Sequence, residues 1–131
     1  MKRYRLWVIV LILALTALAT RTYLKARREA SYQATLQKYS QDLKPGMTRN
    51  EVEKYFRERD VNFSQMGWIE ERTAFADLVR VGEETPPWYC EDNSVDIAFE
   101  FAATESHKPW MAFDTDVLKK VHIVHQFGAC L

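Results

Sequence analysis

Between Arg5 and Arg21 the chain runs for fifteen residues without a charge, LWVIVLILALTALAT, and thirteen of the first fourteen are apolar. Such a run is apolar on every side of a helix, which a surface helix of a small domain is not. Further on, Tyr32, Leu36, Tyr39 and Leu43 recur at spacings of four, three and four, a stripe at helical period. No glycine or proline separates the two patterns, so they predict a long helix that leaves the apolar run and enters the rest of the chain. Lys44-Pro45-Gly46 ends it, because the residue before proline avoids helical geometry and glycine accepts positive φ. A second helix starts at once. Thr48-Arg49-Asn50-Glu51 fits the capping box T-x-x-E, in which the Thr48 hydroxyl accepts from the Glu51 amide and the Glu51 carboxylate accepts from the Thr48 amide. Val52, Tyr55 and Phe56 form its apolar face. Glu51, Glu53, Lys54, Arg57 and Glu58 form its solvated one.

The remaining pattern is that of strands. Residues 61–69 and 73–82 are two candidates, the second with Phe75, Val79 and Val81 on one face and Asp77 interrupting the series. Val95, Ile97, Phe99 and Phe101 alternate with Asp96, Ala98 and Glu100 at a period of two, and Val117, Val121 and Ile123 repeat the pattern near the C-terminus. If these last two strands are antiparallel and Cys90 bonds Cys130, Ile97 faces Ile123, Phe99 faces Val121 and Val95 faces His125. On the other side Glu100 faces Lys120, an opposite-charge pair. A slip of one residue would set apolar side chains against polar ones. Phe101 opposite Lys119 is the one imperfect match. The pattern as a whole predicts an α+β fold: an N-terminal transmembrane helix, then two helices packed on an antiparallel sheet of three or four strands.

Charge sharpens this division. The 18 basic and 18 acidic residues cancel, yet residues 1–28 hold seven basic residues and no acid, and the remainder carries a balance of −7. The expected parts are a basic-flanked membrane segment, 1–28, and one exported domain, 29–131. A net-negative body lacks the basic footprint that nucleic acid requires. Two readings account for the N-terminal segment. As a signal peptide it has a basic start, an apolar middle and an Ala17-Leu18-Ala19 cleavage site, which would leave a soluble periplasmic protein. As an anchor it spans the bilayer through residues 4–24, with Arg5 and Arg21 reaching the interfaces and Tyr4, Trp7 and Tyr23 at the headgroups. The lack of a helix breaker before the cleavage site, and the four cations soon after it, favour the anchor. The expected location is then a single pass through the inner membrane with the body facing the periplasm or cell exterior. The opposite insertion would leave the body in the cytoplasm. Two cysteines without metal-type spacing read, in an exported domain, as a Cys90–Cys130 disulfide.

Candidate chemistry is sparse. His122 and His125 have an odd offset and point to opposite faces of a strand, and His107 lies apart from them. Glu70-Glu71 and Glu83-Glu84 are adjacent acids of the kind that diverge into solvent. No nucleophile elbow, phosphate loop or zinc-protease helix is present in the sequence. No catalytic residue, metal ligand or cofactor is assigned. The aromatic residues are more suggestive: Trp68, Trp88, Tyr89, Trp110 and Phe113 fall mostly in or beside predicted loops, and Pro86-Pro87-Trp88-Tyr89-Cys90 joins stiff prolines to two large rings beside the expected bridge. Exposed, they form an interaction surface; otherwise they cap the ends of a small core.

The segment Asp42-Leu43-Lys44-Pro45-Gly46-Met47-Thr48-Arg49-Asn50-Glu51-Val52 resembles the l-k-x-G-M-T-x-x-x-V signature of the small lipoproteins of the outer-membrane assembly machinery, the BamE (SmpA/OmlA) family, whose fold is related to that of the β-lactamase-inhibitor-protein type. The resemblance covers about twenty residues. It implies two short helices on an antiparallel sheet and a role in binding other envelope proteins. Two departures separate the chain from that family. It has no lipobox cysteine, the first cysteine being Cys90, and Asp60-Val61-Asn62 stands where the family has glycine-x-proline after the second helix. The expected function is a membrane-tethered, non-catalytic envelope domain that binds another envelope protein. The alternative is a small envelope enzyme or inhibitor with a pocket near Trp88 and Trp110.

Overall fold

The continuous helical pattern becomes one helix. In the computed structural model, which describes residues 2–67, 75–104 and 111–130, α1 spans Lys2–Asp42. The chain divides into two compact units, Met1–Ala34 and Thr35–Leu131. In the first, the helix is long and apolar enough to cross a membrane, and none of its most apolar stretch is buried against protein. Trp7 is 74% exposed, and Leu6, Leu11, Leu13 and Leu18 are exposed as well. The hydroxyls interrupting this face are satisfied locally: Thr16 donates to the Leu13 carbonyl at 2.9 Å and Thr20 to the Thr16 carbonyl at 2.8 Å. A polar side chain that bonds to its own helix asks nothing of the solvent around it.

In the second unit the chain is α+β. Leu43 ends the helical hydrogen bonding, and Gly46, at φ +98°, turns the chain so that the Met47 amide reaches the Lys44 carbonyl. That φ is open to glycine at little cost. Helix α2, Arg49–Glu58, follows with the complete capping box: Thr48 accepts from the Glu51 amide while Glu51 accepts from the Thr48 amide. The two hydrogen bonds to Thr48 stabilise the charged form of Glu51 and hold its carboxyl below the ordinary value. At the other end, the Val61 amide donates to the Phe56 carbonyl and the Asp60 amide to the Arg57 carbonyl, with Asp60 at φ +53°. This is the paired bonding of a Schellman ending with aspartate at the position glycine usually occupies.

Among the described residues, four strands complete the unit: β1 Ser64–Met66, β2 Ala76–Glu83, β3 Asp92–Ala102 and β4 Val117–Gly128. They form an antiparallel sheet in chain order, each strand beside its sequence neighbour. Of the expected strand at 61–69, residues 64–66 are strand; its end and the start of the next fall outside the described residues. Along β3 and β4 the pairs are Ile97 with Ile123, Phe99 with Val121, Val95 with His125 and Glu100 with Lys120. Beyond Glu100 the register shifts by one, so Phe101 faces Leu118 rather than the expected Lys119. The reason is the mismatch itself: a β-bulge moves the lysine out of the ladder and returns an apolar partner to Phe101.

The core forms where Tyr39, Leu43, Val52 and Phe56 meet Val79, Ile97, Phe99, Phe101 and Leu118, all buried. Tyr39 sets its ring edge-on to Phe56 and Phe99, with centroids 6.1 and 5.5 Å away, and Phe56 lies 4.9 Å from Phe99. Such edge-to-face contacts add to area burial by about 0.5–1.5 kcal/mol per pair. Tyr55, beside them, donates its hydroxyl to Asp42. Burial, reinforced by that bond and the Asp42 charge, pushes the phenol up to about 12.

A disulfide links Cys90 to Cys130, forty residues apart in sequence. It closes the end of the sheet where the β2–β3 connection meets the C-terminal end of β4. In the loop-entropy account, opening it by reduction should lower stability by about 4 kcal/mol, measured by urea unfolding of oxidised and reduced protein. At the end of α2, Asp60→Gly should raise stability by about 0.5–1 kcal/mol in the same assay, since glycine takes the left-handed conformation without strain.

Candidate functional site

Two places in the body concentrate unusual side chains. The first is interior. Arg49 sits at the start of α2 three residues before Val52 and seven before Phe56, on the buried stripe, and is 1% exposed. Its guanidinium donates to the carboxylate of Asp77 and, at 2.5 Å, to the Phe75 carbonyl. Its Nε lies 3.6 Å from Asp116, and its plane stacks 4.0 Å above the Phe101 ring. Backbone bonds bring these groups together: the Arg49 amide donates to the Asp116 carbonyl at 2.7 Å, Asn50 to Asp114, Gly46 to Leu118, and Leu118 back to Met47. Asp116 also accepts from the Phe113 amide at 3.0 Å.

Two carboxylates thus share one guanidinium out of water. Both aspartates are 0% exposed, and one oxygen of each has no hydrogen-bond partner among the described residues. Burial raises the Asp77 carboxyl from its ordinary 3.8 to about 7, against the opposing pull of Arg49; the Glu53 and Asp116 charges push the same way as burial. A carboxyl that titrates near neutrality is a general-acid candidate. At zero exposure, however, no substrate can touch this one, so the cluster acts on the fold.

The second place is the disulfide end of the sheet. Pro86 and Pro87 fix two backbone φ angles, the Cys90 amide donates to the Pro87 carbonyl at 2.9 Å, and Cys90 itself is bonded to Cys130. Asn93 donates to the Thr85 carbonyl at 3.4 Å, and the Glu84 amide to the Asn93 carbonyl at 2.9 Å. The turn is held at both ends, and what it holds out is Trp88, 92% exposed. Tyr89, 44% exposed, lies edge-on to it with centroids 5.6 Å apart. Phe127, paired with Asn93 at the same end of β3 and β4, is 52% exposed. Trp88 does not cap a core.

The other candidates are dispersed. Trp68, Trp110, His107 and the Glu70-Glu71 pair lie outside the described residues. Phe113 is half-buried and belongs to the turn that presents Asp116. His122 pairs with Ala98 and His125 with Val95, on opposite faces of β4; His122 lies 3.3 Å from Glu100, which also meets Lys120 at 3.6 Å. Glu83 pairs with Arg80. With Cys90 oxidised, neither cysteine is available as a thiol nucleophile. The sequence reading missed Arg49, Asp77 and Asp116. Two signals were present: Asp77 breaks an apolar alternation, and Arg49 continues the Val52–Phe56 stripe one turn back.

No family model, curated protein or solved structure matches the chain.

The ion cluster makes a signed prediction. Asp77 binds its proton more tightly in the folded state than unfolded, so its contribution to stability is fully present below about pH 4 and is lost as the pH rises through about 7. Asp77→Asn removes the titration. Relative to the natural chain, the variant's stability should improve steadily from pH 4 to pH 7 and level off above, as read by urea midpoints at each pH. A constant difference between the two would show that folding does not shift the Asp77 carboxyl.

Proposed function

We propose that the chain is a membrane-tethered, non-catalytic domain of the cell envelope that binds another envelope protein through the aromatic end of its sheet. The observation that carries this reading is Trp88: a large apolar ring, 92% exposed, on a turn stiffened by two prolines and closed by a disulfide. An isolated exposed tryptophan is costly to leave in water and cheap to order when its backbone is already fixed. That combination is typical of an anchor that inserts into a partner's pocket. Tyr89 and Phe127 at the same end supply the apolar surround.

The tether is α1, acting as an uncleaved single-pass anchor in the inner membrane with the body on the periplasmic or outer side. The oxidised cysteine pair supports that side, because disulfides persist in oxidising compartments. The resemblance of residues 42–52 to the assembly lipoproteins points the same way. The two helix segments lying on one face of a four-stranded sheet fit that type of fold. Membership of the assembly machine itself is not part of the proposal, since the lipobox cysteine is missing.

The test is site-specific photocrosslinking in native membranes, with the reactive group at Trp88, at Tyr89, or at Glu58 on the solvated face of α2. A partner band should form from the first two positions and not from Glu58. Trp88→Ala should weaken capture from Tyr89 at least tenfold, in line with the roughly 2 kcal/mol of a hot-spot residue. Equal capture from all three positions would defeat the assignment of this surface.

A further inference from the structure

The face of the sheet opposite the core has a recess of its own, of about 320 Å³, walled by all four strands and the segment before β1. That volume is at the lower end of pockets that hold small molecules, about 300–1,000 Å³. Its polar wall is Asp96, whose side chain is only 5% exposed. A buried carboxylate needs donors, and Asp96 has one close by: the Ser94 hydroxyl donates to it at 2.9 Å. Its other oxygen faces Arg80 Nε at 3.8 Å, beyond hydrogen-bond length. Arg80 is drawn the other way by Glu83, at 3.2 Å. Among the described residues, the recess therefore holds an acceptor whose second oxygen has no short donor contact and a guanidinium with N–H groups in excess of its partners.

Neutral groups supply the rest. Asn62 brings a side-chain amide, and Gln126 donates its amide N–H to Met66 Sδ at 3.0 Å, which leaves the oxygen of that amide as an acceptor. Leu78 adds an aliphatic surface, and Phe63, whose ring packs 5.3 Å from Phe56, closes one edge. The charges select by exclusion. An anion would meet Asp96, and an ammonium ion would meet Arg80; a neutral hydroxyl can donate to the first and accept from the second. Two such hydroxyls on adjacent carbons, with a C–H face to lay against Leu78, meet the charged and the apolar walls together.

We propose that this recess binds a neutral, polyhydroxylated ligand of the size of a single pyranose ring. The site is separate from the aromatic end, so this inference and the proposed docking surface stand or fall independently.

Saturation-transfer NMR on the full chain in lipid nanodiscs, which avoid sugar-based detergents, tests it with four probes: glucose, N-acetylglucosamine, cationic glucosamine and anionic glucuronate. The neutral sugars should bind with millimolar dissociation constants, and the two charged ones at least tenfold more weakly. Asp96→Asn should weaken the neutral sugars tenfold or more, and Gln126→Ala, a change at a half-buried position, severalfold with the fold retained. The Gln126 variant decides the matter if the Asp96 variant does not fold. The proposal is overturned by absence of transfer from both neutral sugars at tens of millimolar, by glucosamine or glucuronate binding as tightly as glucose, or by neutral-sugar binding that Gln126→Ala leaves unchanged.

Discussion

A guanidinium removed from water needs acceptors, and the second unit brings several to Arg49. It sits at the first turn of α2, receives Asp77 from β2 and the Phe75 carbonyl beside it, lies near Asp116 from the approach to β4, and stacks on Phe101 of β3. Strands β2 and β3 and the approach to β4 all contribute. An interaction of this kind is seldom a net gain over a well-packed apolar group, but removing one partner leaves a buried charge unpaired, at a cost of about 3–5 kcal/mol. Its effect is one of specification. With Arg49 in place, α2 is held where its guanidinium meets Asp77, the Phe75 carbonyl and the neighbourhood of Asp116. The capping box directly before it and the backbone bonds from Gly46 to Asn50 hold that position from the other side.

How much of this was legible in the sequence differs by element, and the differences have physical causes. The register of β3 against β4 could be read because a period of two leaves few alternatives once an apolar face and an ion pair must both be kept; Ile97–Ile123 and Glu100–Lys120 satisfy both. The bulge could be suspected from the poor match of Phe101 with Lys119, but its placement depends on which residue the backbone can expel. The α2 start was legible because capping chemistry is local. Its Schellman ending was not, since Asp60 in a left-handed conformation is chosen by the surrounding fold rather than by its own preference. The buried ion cluster needed tertiary knowledge: a period-based reading takes charged residues as solvated, and Arg49 and Asp77 are charged residues on apolar faces. Of the candidate surface, the Pro-Pro-Trp-Tyr-Cys segment was legible as a composition, and only the structure could tell an outward ring from one that caps the core.

The charge division along the chain also gains a structural meaning. The basic segment is a helix whose apolar side chains find no protein around them, and its hydroxyls are bonded internally. The acidic remainder has its own core, its own sheet and a bridge between cysteines. Each part solves a different solvation problem. The aromatic end of the sheet belongs to the second part, where a rigid turn displays in water a ring that in most small domains would be used for packing.

The clasp between residues 46–50 and 114–118 has a bearing on how the domain reaches its native state. A sheet whose strands follow chain order can be assembled from neighbouring hairpins, each closing a modest loop. The clasp instead joins the beginning of the body to the approach to its last strand, so its closure entropy is offset only when nearly all the intervening chain is in place. The hairpins can therefore form early and reversibly, whereas the docking of α2 through Arg49 is the non-local event that converts them into a folded domain. The rate of folding, as distinct from its end point, is then set by an encounter between parts of the body far apart along the chain.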